Sequence, residues 1–500
     1  MVLVEFEDRI VSDFRPLLHV WNPSTKSPGS NELVTTIYCN LPFELPPTES
    51  NGPMFADNTY SAGIPANFVM PGMQVTFEND HKKSTTPVEP LVGMASSAIL
   101  WNLPFYLFGA NDTNSYPFSQ IKDESKNKLF IYQQWPVSSL TTANHAMGIV
   151  SLDTIVQHVN GYEARKVTNL DEITNNDGFG IMATVLGFLS RIFDANGDGS
   201  QNKVIWSPLM SINKHGEYGT VDGGLGGGRR ATGDISNGLI IHEVGHAQGL
   251  PHAGEAFNNG AFPYVRGSLN GSVWGFNFDT NEFLSIYIPS NSSDYDDCKD
   301  DGNIMRDDRC VRQDPMQGGS GDQAKGYPYT MFSDFNAGKI QQFYEGAPIW
   351  VPETQSYIKW DDVNLVNVPY PIVNTSYGLY VDGQPQSSHR PTDEKQLSPI
   401  NTGDIDWYCK QSGCDFTLRV TYKDGSKYIK LLQVGVRKWF DQNGEVDPDC
   451  LDPKDNDSTF TIIENIPADL QVTLVELLWT PYGFRTILAS DAKVLVSQSF

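Results

Sequence analysis

The sequence lacks an uninterrupted run of about 18 apolar residues, so no segment is predicted to cross a membrane as a helix. Its first residues, MVLVEFEDRIVSDF, also lack the basic segment and apolar core of a signal peptide, so export would need another route or a signal already removed. Basic residues are few. The 35 Lys and Arg stand against 60 Asp and Glu, and the net charge of −25 disfavours nucleic acid as a partner.

Cysteine is sparse as well, with only six in 500 residues. Cys298 and Cys310 bracket an acidic loop, and Cys409 and Cys414 enclose a shorter one. Two local disulfides are therefore predicted, which would place the chain in an oxidising compartment. Pairing of the other two cysteines and the alternative of free thiols both stay open.

The length predicts two or three domains, since one hydrophobic core rarely serves 500 residues. Residues 1–95 contain strand-like segments such as VTTIYC and MQVTF, separated by Pro, Gly and Asn. Residues 96–347 mix helical and strand patterns, and residues 348–500 return to β patterns. We expect an α+β chain with a β-rich N-terminal region, a mixed central domain and a C-terminal β-sandwich.

Three helices are predicted in the central domain. Apolar residues at helical spacing mark the first over residues 179–193, and the second is expected from Leu239 to Gly249. The third begins after Ser333, a typical N-cap residue. The segment KLFIYQQWPVSS is predicted to be a strand. In the C-terminal region, FTLRVTY and KYIKLLQV flank a KDGS turn and predict a hairpin.

The most specific pattern is the segment IHEVGHAQGLPH. His242 and His246 are four residues apart, so on a helix both imidazoles reach one ion. Gly249 can end that helix in a left-handed conformation, which lets His252 return as a third ligand. Three imidazoles leave the fourth zinc position open, as a catalytic site requires, and Glu243 lies where a general base is needed.

The spacing HExxHxxGxxH is the zinc motif of the metzincin proteases, which is followed by a methionine turn. A purely structural zinc site would normally have a fourth protein ligand and would not need Glu243. Met305 and Met316 are both candidates for the turn. We favour Met316, because Pro315 and two glycines beside it suit a tight turn.

Four segments together resemble one metzincin group. HEVGHAQGLPH, GSVWGFNFDTNEF, DPMQGG and YTMFSDFNAGKIQQFYEGAPIW are similar to the StcE/TagA-like proteases, which are secreted and cleave mucin-like glycoproteins. The resemblance implies zinc ligation by His242, His246 and His252, catalysis by Glu243, and Met316 as the turn residue. Ala253 departs from this group, in which an aromatic residue follows the third histidine.

Other features have both a functional and a structural interpretation. Gly226 and Gly227 lie in a glycine-rich run before the zinc helix, where metzincins have a strand that pairs with substrate; a flexible loop is the alternative. Trp274 could contact substrate or be buried in the core. Asp194, Asn196 and Asp198 start like an EF-hand loop, but residue 205 is Ile where Glu is needed, so a calcium site competes with a polar turn.

Taken together, these features predict a secreted, extracellular zinc endopeptidase that uses one catalytic zinc and acts on protein, by resemblance on O-glycosylated mucin-like protein. One alternative is an extracellular protease of broad specificity without a glycan requirement. Another is a glycan-binding adhesin that carries a peptidase domain; the intact Glu243 argues against it.

Overall fold

The computed structural model describes most of residues 15–369, residues 2–5, 416–432, 469–479 and 492–500, and isolated positions from 452 to 467. Short gaps in the first range fall at 28, 80–81, 122–124, 159–161, 174–176, 197–201, 236, 299–302, 320, 348, 352, 355, 362 and 365. The described chain is mostly β with a few helices, as the sequence predicts.

The N-terminal region is antiparallel β-structure. Strand β1 (Val2–Glu5) pairs with β4 (Thr59–Ala62), while β2 (Leu17–Pro23) lies between β3 (Asn31–Tyr38) and β5 (Gln74–Glu78). The predicted strand segments VTTIYC and MQVTF coincide with β3 and β5. A separate hydrophobic cluster covers this sheet.

A mixed sheet organises the central domain. Its order is β14-β15-β12-β6-β8, formed by β6 (Ser97–Asn102), β8 (Ser139–Asn144), β12 (Lys203–Ile212), β14 (Gly224–Gly227) and β15 (Arg230–Gly233). All neighbours are parallel except β14, which runs antiparallel to β15. Nine of the ten residues of β12 are buried, as expected of a central strand covered on both faces.

Five shorter strands accompany this sheet. β7 (Phe105–Leu107) pairs with β12 and with β9 (Val150–Leu152), and β13 (Tyr218–Gly219) also pairs with β12. A separate hairpin is formed by β10 (Ile155–Gln157) and β11 (Arg165–Val167).

Helices cover both faces of the central sheet. They are α1 (Phe118–Ile121), α2 (Ser125–Gln134), α3 (Asp177–Asn196), α4 (Asn237–Ala247), α5 (Ala253–Asn258) and α6 (Asp334–Glu345). Residues of α3 pack in one buried cluster, and residues of α2, α4 and α6 pack together in another. Short 3-10 turns lie at Pro42–Glu44, Glu49–Asn51, Ala66–Phe68, Leu170–Glu172 and Val265–Gly267.

The three predicted helices are confirmed. They correspond to α3, α4 and α6, and the hydroxyl of Ser333 accepts a hydrogen bond from Asn336 N at 3.2 Å as the N-cap of α6. None of the helices among the described residues is long and apolar enough to cross a membrane.

The prediction of a strand at KLFIYQQWPVSS is wrong. Helix α2 extends through Gln134, and the next strand, β8, begins only at Ser139. The segment is rich in aromatic and β-branched residues, which favour strands in isolation. Ile131 and Trp135, however, are both buried and lie four residues apart, the spacing of one helix face, so tertiary packing decides the structure.

Two hairpins follow the zinc motif. One consists of β16 (Gly275–Asn277) and β17 (Glu282–Leu284), and the other of β18 (Met305–Arg306) and β19 (Arg309–Cys310). The predicted disulfide between Cys298 and Cys310 is present and closes the acidic loop. Cys39 is a buried free thiol, and the other three cysteines lie outside the described residues.

The described C-terminal residues form two antiparallel sheets. Their strands are β20 (Ile349–Val351), β21 (Ser356–Asp361), β22 (Val366–Pro369), β23 (Phe416–Tyr422), β24 (Lys427–Leu432), β25 (Val472–Trp479) and β26 (Lys493–Ser499). The predicted hairpin is β23–β24, and the second sheet has the order β24-β23-β25-β26. Strand segment TFTIIENI lies almost entirely outside the described residues. The β-sandwich therefore stays a prediction, as do the domain boundaries at 95 and 347.

Candidate active site

Helix α4 ends in a glycine turn that folds the chain back on itself. Gly249 has φ +90°, its N–H donates to His246 O at 2.9 Å, and Leu250 N donates to Gly245 O at 3.0 Å. These are the two hydrogen bonds of a Schellman motif. The turn brings His252 back to His242 and His246, so that one ligand atom from each of the three lies within 4.8 Å of the others.

Backbone carbonyls fix the orientation of two of these imidazoles. His242 Nδ1 is 2.7 Å from Pro315 O, and His246 Nδ1 is 2.7 Å from Leu250 O. A carbonyl only accepts, so each Nδ1 carries the hydrogen and each Nε2 has a free lone pair. The two Nε2 atoms are 3.2 Å apart.

Two lone pairs at that distance repel unless a cation lies between them. Zn–N bonds of about 2.0–2.1 Å in a tetrahedral site place two ligand nitrogens about 3.3 Å apart, which fits this spacing. Burial lowers the pKa of His242 from 6.5 to about 4 and also lowers the pKa of His246. Both imidazoles are therefore neutral at pH 7, the form that binds a metal.

His252 differs from the other two histidines in its support. Its side chain is 49% exposed, and its Nδ1 lies 3.7 Å from a carboxylate oxygen of Glu255 one helical turn later. A carboxylate behind a ligating imidazole orients the ring. At 3.7 Å this carboxylate is a charged neighbour and not a hydrogen-bond partner, so His252 is held less firmly than the two histidines that donate to backbone carbonyls.

Met316 lies in a tight turn beneath α4. Gln317 N donates to Asp314 O at 2.7 Å, which closes the turn, and Met316 is fully buried. A Cβ added to Gly245 would lie 2.3 Å from Met316 Sδ, so the methionine packs where the helix has no side chain. Its neighbour Pro315 supplies the carbonyl that orients His242. Met305, the other candidate, is 43% exposed.

Asp314 holds this turn in place, a role that the sequence analysis did not detect. The carboxylate is fully buried and accepts from Met316 N at 2.9 Å, Ser333 N at 2.9 Å and Asn336 Nδ2 at 2.9 Å. It thereby joins the methionine turn to the N-terminus of α6, where the helix dipole favours a negative charge. In the sequence, DPMQ indicates only a turn, because the partners on α6 lie 19 and 22 residues further along the chain.

Glu243 is 4% exposed and hydrogen-bonds to none of the described residues through its side chain. Burial raises the pKa of its carboxyl to about 7. Desolvation makes the carboxylate a stronger base than one in water, which is the property that a general base needs.

The glycine-rich run forms the edge strand β14, and its glycines have different surroundings. A Cβ on Gly226 would lie 2.0 Å from Glu243 O, and one on Gly224 would lie 2.6 Å from Glu243 Oε1. These two positions therefore need glycine to let β14 approach α4. A Cβ on Gly227 would meet nothing within 4 Å. Of the two predicted substrate contacts, only Gly227 has open space beside it.

Trp274 is partly buried against other aromatic rings. Its centroid is 5.3 Å from that of Phe55 and 6.4 Å from those of Phe283 and Tyr287. It also lines a cavity whose described lining residues include none of the three histidines. The structure therefore places Trp274 beside a pocket that is separate from the histidine cluster.

The predicted calcium ligands cannot be assessed in the same way. Asp198 and the side chains of Asp194 and Asn196 lie outside the described residues. Within the described part of the chain, the three histidines are the only group of three or more His, Cys, Asp or Glu side chains spaced to hold a metal ion.

Comparison with known proteins decides the family. Residues 49–347 match the family described as peptidase M66. The chain belongs to the peptidase M66 family. It is 36% identical to Dictomallein-1 of Dictyostelium discoideum over all of this chain and 90% of that protein. It is 34% identical to Dictomallein of Burkholderia pseudomallei (strain K96243) over 96% of this chain and 76% of that protein.

Membership of the M66 family makes the chain a metallopeptidase of a zinc-dependent family. The matched range contains the histidine cluster, the methionine turn and α6, and it begins at Glu49. Protein is therefore the substrate class that family membership supports.

Proposed function

We propose that the chain is a secreted zinc endopeptidase of the metzincin type, related to the StcE/TagA-like group, that cleaves O-glycosylated mucin-like proteins outside the cell. The main support for a zinc site is that the Nε2 atoms of His242 and His246 are 3.2 Å apart while the Nδ1 of each ring is hydrogen-bonded to a backbone carbonyl. This geometry supports His242, His246 and His252 as the ligands of one catalytic zinc.

Zinc at this site supplies Lewis acidity toward water and the scissile peptide carbonyl. Glu243 takes a proton from the attacking water on its carboxylate and then delivers it to the nitrogen of the leaving amine. Its burial keeps solvent from competing for that proton. His242 stays neutral because burial lowers its pKa to about 4, while Pro315 O fixes the position of its Nδ1 hydrogen.

The substrate backbone binds along β14 in this proposal. β14 is the last strand of the central sheet in the described part of the chain, so one edge of it is unpaired. An extended peptide can add to such an edge through main-chain hydrogen bonds. The open space beside Gly227 allows a bulky, glycosylated residue to approach there.

The glycoprotein substrate and the extracellular location rest on other observations. The segments HEVGHAQGLPH, GSVWGFNFDTNEF and DPMQGG support a StcE/TagA-like specificity. The Cys298–Cys310 disulfide supports an oxidising compartment.

Zinc content and cleavage of a densely O-glycosylated mucin, measured for the wild type and Glu243→Gln, test the proposal. We expect about one zinc per chain in both proteins and a loss of cleavage of about 100-fold or more in the variant. Glu217→Gln, on an exposed loop, is the matched control. No zinc in protein purified without chelator would refute the metal assignment.

The same mucin after enzymatic deglycosylation separates the two extracellular protease hypotheses. We expect cleavage to fall when the glycans are removed. Equal cleavage before and after deglycosylation would establish the alternative, a protease of broad specificity without a glycan requirement.

A further inference from the structure

A cavity of about 360 Å³ lies between four parts of the central domain. Its walls come from the C-terminal half of α2, the β16–β17 hairpin, residues 327–332 and the first turns of α6. The volume is at the lower end of the range for pockets that bind small molecules. None of the zinc-motif residues lines it, so it is a separate site on the same domain.

Aromatic side chains form the apolar part of the wall. Trp274 is held edge-on by Phe55 and Phe283, and Phe276 packs at 5.4 Å from the same Phe283 ring. Tyr329 lines the cavity from the segment after the methionine turn and is 5% exposed. These contacts fix the rings in place, so the cavity is largely preformed.

Three polar groups on this wall have no hydrogen-bond partner in the part of the chain that the structure describes. The indole N–H of Trp274, the amide of Gln134 and the hydroxyl of Tyr329 hydrogen-bond to none of the described residues. The nearby Tyr327 differs, because its hydroxyl donates to Glu282 at 3.0 Å and accepts from Asn277 at 3.2 Å. None of these three groups is among the fully buried polar atoms that lack a partner, so they open onto the cavity and can hydrogen-bond a ligand that enters it.

The charge of the lining restricts the class of that ligand. The cavity has no Lys, Arg or His in its described lining, and its single acidic residue is Asp334. One oxygen of that carboxylate already accepts from Tyr264, Ser272 and Phe335 N. An anionic ligand would have no cationic side chain to pair with. A cationic ligand would have to compete with the three donors that already hydrogen-bond to this carboxylate.

We propose that this cavity binds one neutral pyranose unit, a hexose or N-acetylhexosamine, of a glycan. A pyranose has an apolar C–H face, which suits the rings of Trp274 and Phe276, and hydroxyls that both donate and accept. The amide of Gln134 offers two donors and an acceptor, and the phenol of Tyr329 offers one of each. The choice of a glycan-borne sugar rests on the proposed glycoprotein substrate.

The rim of the cavity fits a ligand that continues beyond it. Val273 and Phe278 flank Trp274 and Phe276 and are 63% and 66% exposed. Exposed apolar residues grouped beside a pocket are typical of interaction surfaces. They offer contact area for the chain to which the bound sugar is attached.

Titration of the full-length protein with methyl α-N-acetylgalactosaminide, followed by saturation-transfer NMR, tests the proposal. We expect saturable binding in the millimolar range, weakened about 3- to 10-fold by Tyr329→Phe and by Gln134→Leu, since each removes one hydrogen-bonding group. Tyr132→Phe, on α2 outside the cavity, is the matched control and should bind as the wild type does. Zinc content and thermal melting verify that each variant is folded.

Three results would overturn the proposal. The first is that methyl α-N-acetylgalactosaminide shows no saturable binding. The second is that N-acetylneuraminic acid binds with equal affinity. The third is that an unglycosylated Ser/Thr peptide binds to the wild type and loses the same affinity in both variants. The same measurements distinguish failure of this cavity proposal from failure of the proposed function. Sugar binding without mucin cleavage leaves the cavity assignment standing, whereas mucin cleavage without sugar binding refutes the cavity alone.

Discussion

A buried ion pair connects the N-terminal region to the active-site domain. Arg312 Nη2 lies 2.5 Å from Glu49 Oε1, and both side chains are 2% exposed. Ser285 N also donates to Glu49 Oε1 at 3.1 Å, and Arg312 N donates to Ile286 O at 2.8 Å. Since Arg312 is two residues before Asp314, the pair anchors the chain that leads into the methionine turn.

Glu49→Ala would leave Arg312 buried without its counter-ion. Removing one partner of a buried pair costs about 3–5 kcal/mol, because the remaining charge keeps its desolvation penalty. The loss should be near the middle of this range, because Arg312 Nε already has no hydrogen-bond partner among the described residues, whereas the charge of Asp322 still attracts the guanidinium. We therefore expect a loss of about 4 kcal/mol from the free energy of unfolding.

Urea unfolding followed by tryptophan fluorescence measures this loss. The double variant Glu49→Met/Arg312→Met should recover most of the stability, because it removes both charges and keeps similar volume. Lys214→Met is the control for an exposed pair, since Lys214 Nζ is 3.9 Å from Asp171, and it should change stability by less than about 1 kcal/mol. A loss below about 1 kcal/mol for Glu49→Ala would refute the reasoning.

Other substitutions probe the active site itself. Gly226→Ala should destabilise the protein by about 1–3 kcal/mol or more, because its Cβ would meet the α4 backbone at 2.0 Å. Gly227→Ala should be nearly neutral, because its Cβ would meet nothing within 4 Å, and thermal melting of both variants measures the difference. Met316→Ala should cost about 2–5 kcal/mol and Met316→Leu less than about 1.5 kcal/mol in urea unfolding. The His242 pKa of about 4, against 6.5 unfolded, means that the unfolded state binds more protons between these values. In chelator-treated protein, His242 should therefore contribute a loss of up to about 3 kcal/mol as pH drops from 6.5 to 4, measured as the difference between the wild type and His242→Gln. The difference is needed because the raised pKa of Glu243 stabilises the folded state as pH falls through the same window, and both proteins share it. Equal pH dependence of the two proteins would contradict this.

The sequence predicts those parts of the site whose partners are local. His242 and His246 are one helical turn apart. Gly249 ends the helix, where its N–H donates to the residue three positions earlier and the N–H of Leu250 donates to the residue five positions earlier. Ser333 caps α6 through a bond to a residue three positions later. Short-range geometry of this kind is determined by spacing and residue type alone.

Contacts between distant residues are beyond such reasoning. Asp314 joins residues 333 and 336, and Glu49 joins Arg312 across 263 positions, so neither has a pattern in the sequence. The strand prediction at α2 failed for the same reason. Its residues favour a strand locally, and only burial of Ile131 and Trp135 against the other helices selects the helix.

Glycines fix the zinc helix from two sides. Gly226 of β14 lies against the α4 backbone at Glu243, and Gly245 of α4 lies against Met316. In each case a Cβ would come within 2.3 Å of its neighbour, which is the backbone of α4 for Gly226 and the thioether of Met316 for Gly245. A Cβ on Gly226 would also lie 2.8 Å from His246 Cβ, so Glu243 and His246 are both at the contact with β14. The catalytic geometry therefore depends on the absence of side chains at these two positions as well as on the histidines: a bulkier residue at Gly226 would separate β14 from α4, and one at Gly245 would displace the Met316 side chain.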